Sequence, residues 1–321
     1  MSATAGWHGA RVRRREAIAA QVWLFEFALD DAQAYPWALV TPGAHIDVEL
    51  PGGVVRQYSL LISVVPDPQT LVIAVKRDAA GRGGSLHMCE QLQADARVRL
   101  SAPRNLFALH DGGAPAVLIA GGIGITPIWS MLQALQRRRG DWALHYATRS
   151  RADAPFMAQL QSQPGVHLHV DDESAGRALD LAAIVRGAPD NAHLYCCGPA
   201  PMLDAFEAAC QGRDPARVHL ERFSAAAPVA TAQEGCVVRL ARSDRTLVLQ
   251  AGQTLLGVLR DAGVDVASSC EQGICGACET RVLEGAIDHH DSILSPAEQA
   301  AGQTMMICCS LPRGERLVLD L

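Results

Sequence analysis

Val117-Leu-Ile-Ala-Gly-Gly-Ile-Gly-Ile-Thr-Pro127 is an apolar run that breaks into glycines and ends on a proline. A short apolar run bounded by glycine reads as a strand buried on both faces, and the glycines mark a tight turn. Pro127 suits the first turn of a helix, where a missing N–H costs nothing. Free amides at a helix start, and glycines that let a ligand approach the backbone, suit a pyrophosphate. The pattern is not a strict G-x-G-x-x-G, so a ligand-free strand–turn–helix stays open. The wider uncharged stretch from Ala116 to Leu132 is short for a membrane span and is broken by Gly121, Gly122, Gly124 and Pro127. No membrane association is expected.

Downstream, apolar runs at Trp142–Ala147, Val166–Val170 and His193–Cys197 alternate with helical stretches at Ile128–Arg138 and Met202–Cys210. Strands alternating with helices predict βαβ units and a parallel sheet over residues 111–223. In such sheets ligands sit beyond the carboxyl ends of the strands. Tyr195-Cys-Cys-Gly-Pro-Ala-Pro-Met202 is a second turn at such an end, which places Cys197, Gly198 and Pro199 in the same crevice. Asp171, Asp172 and Glu173 follow a third strand. Acidic groups there accept from ribose hydroxyls and repel a 2′-phosphate, which favours NADH over NADPH; a solvated loop is the alternative.

Upstream, residues 1–110 carry short strand signals such as Val22-Trp-Leu-Phe-Glu-Phe, His45-Ile-Asp-Val-Glu-Leu and Leu71-Val-Ile-Ala-Val, with one helical stretch near Ser85 to Leu92. That pattern predicts a small antiparallel barrel. In Arg56-Gln-Tyr-Ser59, period-two geometry puts Arg56 and Tyr58 on one face, a cation for a phosphate and a ring for a flavin. Gly81-Arg-Gly-Gly-Ser85, with Gly83 and Gly84 entering a helix, makes a second anion site. Taken singly, each has an ordinary structural reading.

Residues 224–233 are small, polar and proline-interrupted, and read as a linker that spans about 33–36 Å when fully extended. Beyond it, in residues 234–321, lies Cys270-Glu-Gln-Gly-Ile-Cys275-Gly-Ala-Cys278, with Cys308 further on. C-x4-C-x2-C…C is the spacing of a plant-type 2Fe–2S site, and Gly273 and Gly276 let amides turn inward on sulfur. Zinc sites favour paired short spacings instead. Of the ten cysteines, only Cys89 precedes residue 196, whereas six fall between Cys236 and Cys309, a local cluster that points to metal. The net charge of −6 argues against nucleic acid. The first fifteen residues lack the apolar core of a signal peptide, so a cytoplasmic location is expected.

With these pieces in order, the chain resembles the phthalate dioxygenase reductase family, which includes vanillate demethylase reductase. RQYSL, AVKRDAAGRGGS, AGGIGITP, YCCGP, CEQGICGAC and the closing MICCS…RLVLDL carry the likeness over nearly the whole chain. The resemblance implies three domains: an antiparallel flavin barrel, an α/β NAD domain and a C-terminal α+β ferredoxin of β-grasp type. It implies FMN, NADH and a 2Fe–2S cluster. Arg56 and Ser85 would contact the flavin phosphate, with Gly83 and Gly84 in the same turn. Tyr58 would pack on the flavin and Ser59 lie near its reactive nitrogen. Thr126 and Cys197 would lie near the nicotinamide, with Gly122, Gly124, Gly198 and Pro199 shaping the crevice. Cys270, Cys275, Cys278 and Cys308 would hold the cluster. Cys309 stands beside the last of these. Thr304–Ser310 reads as a strand, on which neighbouring side chains face opposite ways, so Cys309 is expected to point away. The implied partner is a Rieske-type oxygenase acting on an aromatic acid. A quaternary-amine oxygenase, or a redox-sensing role without turnover, is the alternative.

Overall fold

The computed structural model describes residues 6–62, 70–224, 229–232 and 235–321. The chain forms two compact units, Ala5–Arg222 and Phe223–Leu321. Among the described residues no helix is long and apolar enough to cross a membrane.

The first unit opens with strands β1 (Trp7–Ala19), β2 (Val22–Leu29), β3 (His45–Glu49), β4 (Val55–Ser59), β5 (Thr70–Lys76) and β6 (Arg97–Ser101), with helix α1 (Gly84–Glu90) after β5. Their order is β4-β3-β6-β1-β2-β5, all antiparallel. The edges are joined by a bridge between Leu60 and Ile73, where the Leu61 N–H donates to Val72 O at 2.8 Å. One bridge removes two open edges, which is how a six-stranded sheet becomes a barrel. Phe25, Phe27, Ile46, Leu71, Ile73 and Leu100 fill it.

A parallel sheet follows, with β7 (Ala116–Gly121), α2 (Ile125–Arg138), β8 (Trp142–Thr148), α3 (Met157–Leu160), β9 (Val166–Val170), α4 (Leu181–Gly187), β10 (His193–Cys197), α5 (Ala200–Ala209) and β11 (Val218–Glu221). Strand order is β11-β10-β7-β8-β9. Every residue of β7 is buried, because α2 covers one face and α4 and α5 the other. The order reverses between β7 and β10, which makes their carboxyl ends the switch point where sheets of this kind bind ligands. The sequence expectations for these strands and helices hold, with ends shifted by up to three residues, as at the start of α2.

The second unit contains β12 (Cys236–Leu240), β13 (Arg245–Leu249), α6 (Leu255–Asp261), β14 (Glu279–Asp288), α7 (Pro296–Ala301), β15 (Thr304–Met306) and β16 (Leu311–Leu319). Its mixed sheet runs β13-β12-β16-β14-β15, with β12 and β16 parallel and the remaining pairs antiparallel. Two expectations change here. Residues 229–232 of the proposed linker are not free chain: Val229 and Ala230 pack on this unit's core, and Ala232 exchanges backbone bonds with Gly252 and Gln253. The other linker residues 225–228 and 233 lie outside the described residues. The strand expected over Thr304–Ser310 stops at Met306, because the Cys309 and Ser310 N–H groups both turn back to Met306 O, at 3.1 and 2.9 Å.

Candidate functional site

The first cluster of sequence-selected residues gathers at one corner of the barrel. Gly83 adopts a left-handed conformation, φ 81°, at the start of α1. A Cβ on Gly84 would overlap the Arg56 side chain, so only glycine lets the arginine lie across the helix start. Arg56 donates to Val55 O at 2.7 Å and Arg82 O at 2.5 Å. Ser85 Oγ accepts from the Asp78 N–H at 3.2 Å, which fixes the turn. A guanidinium held over exposed amides suits a phosphate. Tyr58 lies two residues along the same face, and burial pushes its phenol up, so the ring stays neutral.

The second cluster is built from two cross-strand pairs. His45 on β3 stands opposite Ser59 on β4, and Cys197 on β10 stands beside Glu221 on β11. The pairs meet inside the first unit: His45 Nδ1 lies 4.0 Å from Glu221 Oε1, and Ser59 neighbours the same carboxyl. Burial raises Glu221 to about 8, with Ser59 pulling weakly the other way. Burial, then Arg104, lowers His45 to about 4. Cys197 is pushed well up, first by burial and then by the Glu221 charge, so it is a neutral thiol. Among the described residues Ser59 Oγ, Glu221 Oε2 and both His45 ring nitrogens have no hydrogen-bond partner. Unpaired buried polar atoms cost about 1–3 kcal/mol each, and four around one spot mark where a polar group belongs. The heteroatom edge of a flavin fits that need.

Ser130 on α2 sets the two halves in register. Its hydroxyl donates to Leu60 O at 2.6 Å and accepts from the Ile62 N–H at 3.0 Å, pinning the chain as it leaves Ser59. The turns after β7 and β10 interlock as tightly. A Cβ on Gly124 would overlap the Cys197 carbonyl, and one on Gly121 would lie 2.5 Å from Met202 Sδ and 2.7 Å from Pro199 Cδ. Gly198 stands equally close to Gly121, and Gly122 takes φ 54°. Thr126, buried in the first turn of α2, donates to Ile123 O at 3.0 Å. Of the acidic trio, Glu173 is bound by Arg151, and Asp171 sits at the β9 end with His169 Nε2 at 3.7 Å. Asp171 is half-buried there, and Asp172 is exposed.

The third cluster lies in the second unit. Glu271, Gly273 and Gly276 all take positive φ, which curls Cys270–Cys278 around its thiols. The Gln272 and Ile274 N–H groups donate to Cys270 Sγ at 3.2 and 3.5 Å. Cys270 neighbours Cys275 and Cys308, and Cys278 neighbours Cys308. All four are buried. Among the described residues no three such side chains converge on a single-ion site. Neighbouring pairs of thiols instead fit a two-iron cluster, in which each iron takes two cysteines. Proximity to Cys270, then burial, pushes Cys275 up, and the Cys308 contact does the same to Cys278. Such thiols give up their protons to a metal.

Residues 118–208 match the family model for an oxidoreductase NAD-binding domain, and residues 238–313 match that for a 2Fe-2S iron-sulfur cluster binding domain. Over 280 residues the chain is 52% identical to a phenoxybenzoate dioxygenase subunit beta of Ectopseudomonas oleovorans, covering 87% of each. It is 38% identical to a carnitine monooxygenase reductase subunit of Acinetobacter pittii (strain PHEA-2), covering 92% of this chain and 97% of the relative. The solved structure of phthalate dioxygenase reductase, described as a module for electron transfer from pyridine nucleotides to [2Fe-2S], superposes with a TM-score of 0.71 at 35% identity over 98% of both chains. This chain belongs to the phthalate dioxygenase reductase family. Like other members of the family it is an oxidoreductase with NAD-binding and 2Fe–2S domains. Within this family member, sequence reasoning missed His45, Glu221 and Ser130. Glu221 closes a four-residue strand, and only the register of β11 against β10 reveals it.

Proposed function

We propose that this chain is the NADH-dependent reductase component of a two-component oxygenase, with FMN and a 2Fe–2S cluster as resident groups. The partner is a Rieske-type oxygenase acting on an aromatic acid. One observation carries the reading: a single chain joins a barrel and a parallel sheet at a shared buried polar centre and adds a loop of three thiols beside a fourth. A flavin takes a hydride and gives up electrons singly, the exchange that a nicotinamide donor and a one-electron cluster require.

Arg56, Gly83, Gly84 and Ser85 would hold the flavin phosphate, and Tyr58 would cover the ring. Ser59 and Cys197 would flank the reacting edge, with Thr126 beside the nicotinamide. Gly122, Gly124, Gly198 and Pro199 would keep the crevice open to the pyrophosphate, and Asp171 would meet the ribose. Cys270, Cys275, Cys278 and Cys308 would ligate the cluster. The proposed division is 1–110 for flavin, 111–223 for NAD and 234–321 for the cluster, with residues 229–232 joined to the last of these. A cytoplasmic location agrees with ten cysteines of which, among the described residues, none forms a disulfide.

Acid extraction of the purified chain should release FMN, with about two irons and two sulfides per chain. Recovery of FAD, or of zinc for iron, overturns the corresponding assignment. The carnitine relative supports a quaternary-amine oxygenase as second reading. Reconstitution with one oxygenase of each kind separates the two, the aromatic-acid enzyme turning over faster if the first is right.

A further inference from the structure

Four thiols suffice for a 2Fe–2S cluster, yet this pocket holds five. Cys309 is 3% exposed, as buried as Cys308 at the same value. On a strand it would face away from its neighbour, but residues 307–309 form a turn around the Met306 carbonyl. The turn brings Cys309 Sγ under the cluster loop. A Cβ built on Gly273 would lie 2.5 Å from that sulfur, so the glycine backbone sits directly on the thiol. Gly273 takes φ 68° and its carbonyl is held by the Ser292 N–H at 3.0 Å, so this part of the loop is fixed over Cys309. Cys309 neighbours Cys308 and, further off, Cys270. Its polar contacts are weak, at 3.7 Å to Met306 O and 3.9 Å to Ser310 Oγ. Its strongest neighbour is the Cys308 thiol itself, the ligand whose place it would take.

We propose that Cys309 is a reserve ligand, so that the turn after β15 offers the cluster two alternative thiols for its fourth position. The inference rests on the reading of Cys270, Cys275, Cys278 and Cys308 as the ligand set. When Cys308 is lost, Cys309 gives its proton to solvent and forms the iron–sulfur bond in its place, with no change of oxidation state. A rotation of the turn suffices, because both thiols belong to the same three residues.

The test uses the full chain as wild type, Cys308→Ala, Cys309→Ala and the double variant. Alanine is chosen because serine can itself ligate iron. Iron and sulfide content, visible circular dichroism and the EPR spectrum of the reduced protein are read, with FMN content as the check on folding. Cys309→Ala should match wild type in all three. Cys308→Ala should keep more than about half of the iron with an altered EPR line shape, and the double variant should keep less than about a tenth. If Cys308→Ala alone loses iron as completely as the double variant while retaining FMN, the proposal is wrong. A separate Cys275→Ala variant tests the underlying ligand reading: a full, unaltered cluster there would overturn that reading instead.

Discussion

The barrel–sheet junction and the thiol pocket solve the same problem, a buried polar site, by opposite means. At the junction, His45, Ser59, Cys197 and Glu221 come from four strands spread over most of the chain, and each is placed by register with a neighbour. In the pocket, three of the thiols come from nine consecutive residues whose backbone curls by positive φ, and the rest from one turn. A site built on register depends on the whole unit being folded, since a one-residue slip reverses every side chain. A site built on a loop depends on a few backbone angles and tolerates change elsewhere. The first should therefore fail with the fold of its unit, and the second with single residues of its own loop.

The sharpest contrast comes from Cys275→Ala. Its loop has no substitute thiol, so iron should fall from about two per chain to below about a tenth of that, with FMN retained. NADH–ferricyanide activity should stay within about twofold of wild type while transfer to an oxygenase disappears. Retained oxygenase activity would mean that electrons do not leave through the cluster.

Gly124→Ala probes the junction side. The added methyl overlaps the Cys197 carbonyl and must push two turns apart, at a cost of about 1–3 kcal/mol. Thermal melting should fall, and KM for NADH should rise more than kcat drops. An unchanged KM would show that the crevice does not bind the nucleotide.

Glu221→Gln tests the buried carboxyl by pH. Burial raises this group from 4.5 to about 8, so the folded chain keeps a proton that the unfolded chain releases, and stability is lost as pH rises through that window. His45, lowered from 6.5 to about 4, acts in the opposite sense, since its contribution is lost as pH falls. Between pH 6.5 and 8 the Glu221 effect stands alone of the two and is on the order of 2 kcal/mol. The glutamine variant should therefore lose less melting temperature than wild type between those pH values. An identical loss in both would mean the carboxyl is already ionised at pH 6.5.

The smallest effect is expected from Asp171→Ser, with Asp172→Arg as a companion change. One hydrogen bond to a ribose is worth about 1 kcal/mol, so the kcat/KM ratio of NADH to NADPH should fall about fivefold for the single change and further for the pair. A constant ratio would move nucleotide choice elsewhere on the rim.

The same contrast explains what the sequence disclosed. Cys270–Cys278, the Val117–Pro127 turn and Gly81–Ser85 are local, and residue type at fixed spacing carries their chemistry. Arg56 and Tyr58 were legible because a strand has period two. Glu221 was not, since a lone glutamate at the end of Val218–Glu221 looks like any surface acid until β11 is laid beside β10. His45 read only as a strand residue, and its partner lies 176 positions away. The turn at Ile307–Cys309 reads as strand because five of the seven residues 304–310 are apolar, whereas the Met306 carbonyl draws two successive amides back.

Gly121, Gly124 and Gly198 have a consequence for how such chains can be recombined. The turns after β7 and β10 touch backbone to backbone, with Met202 and Pro199 filling the remaining space, so a change in one needs a matching change in the other. A crossover between homologous genes anywhere from about residue 125 to residue 196 would join turns of different ancestry and inherit their mismatches. A crossover near Arg222, where one compact unit gives way to the next, leaves the pair intact. Chimeras of related reductases should survive breakpoints at the second place and lose nucleotide binding at the first. The two turns pass from parent to offspring as one piece.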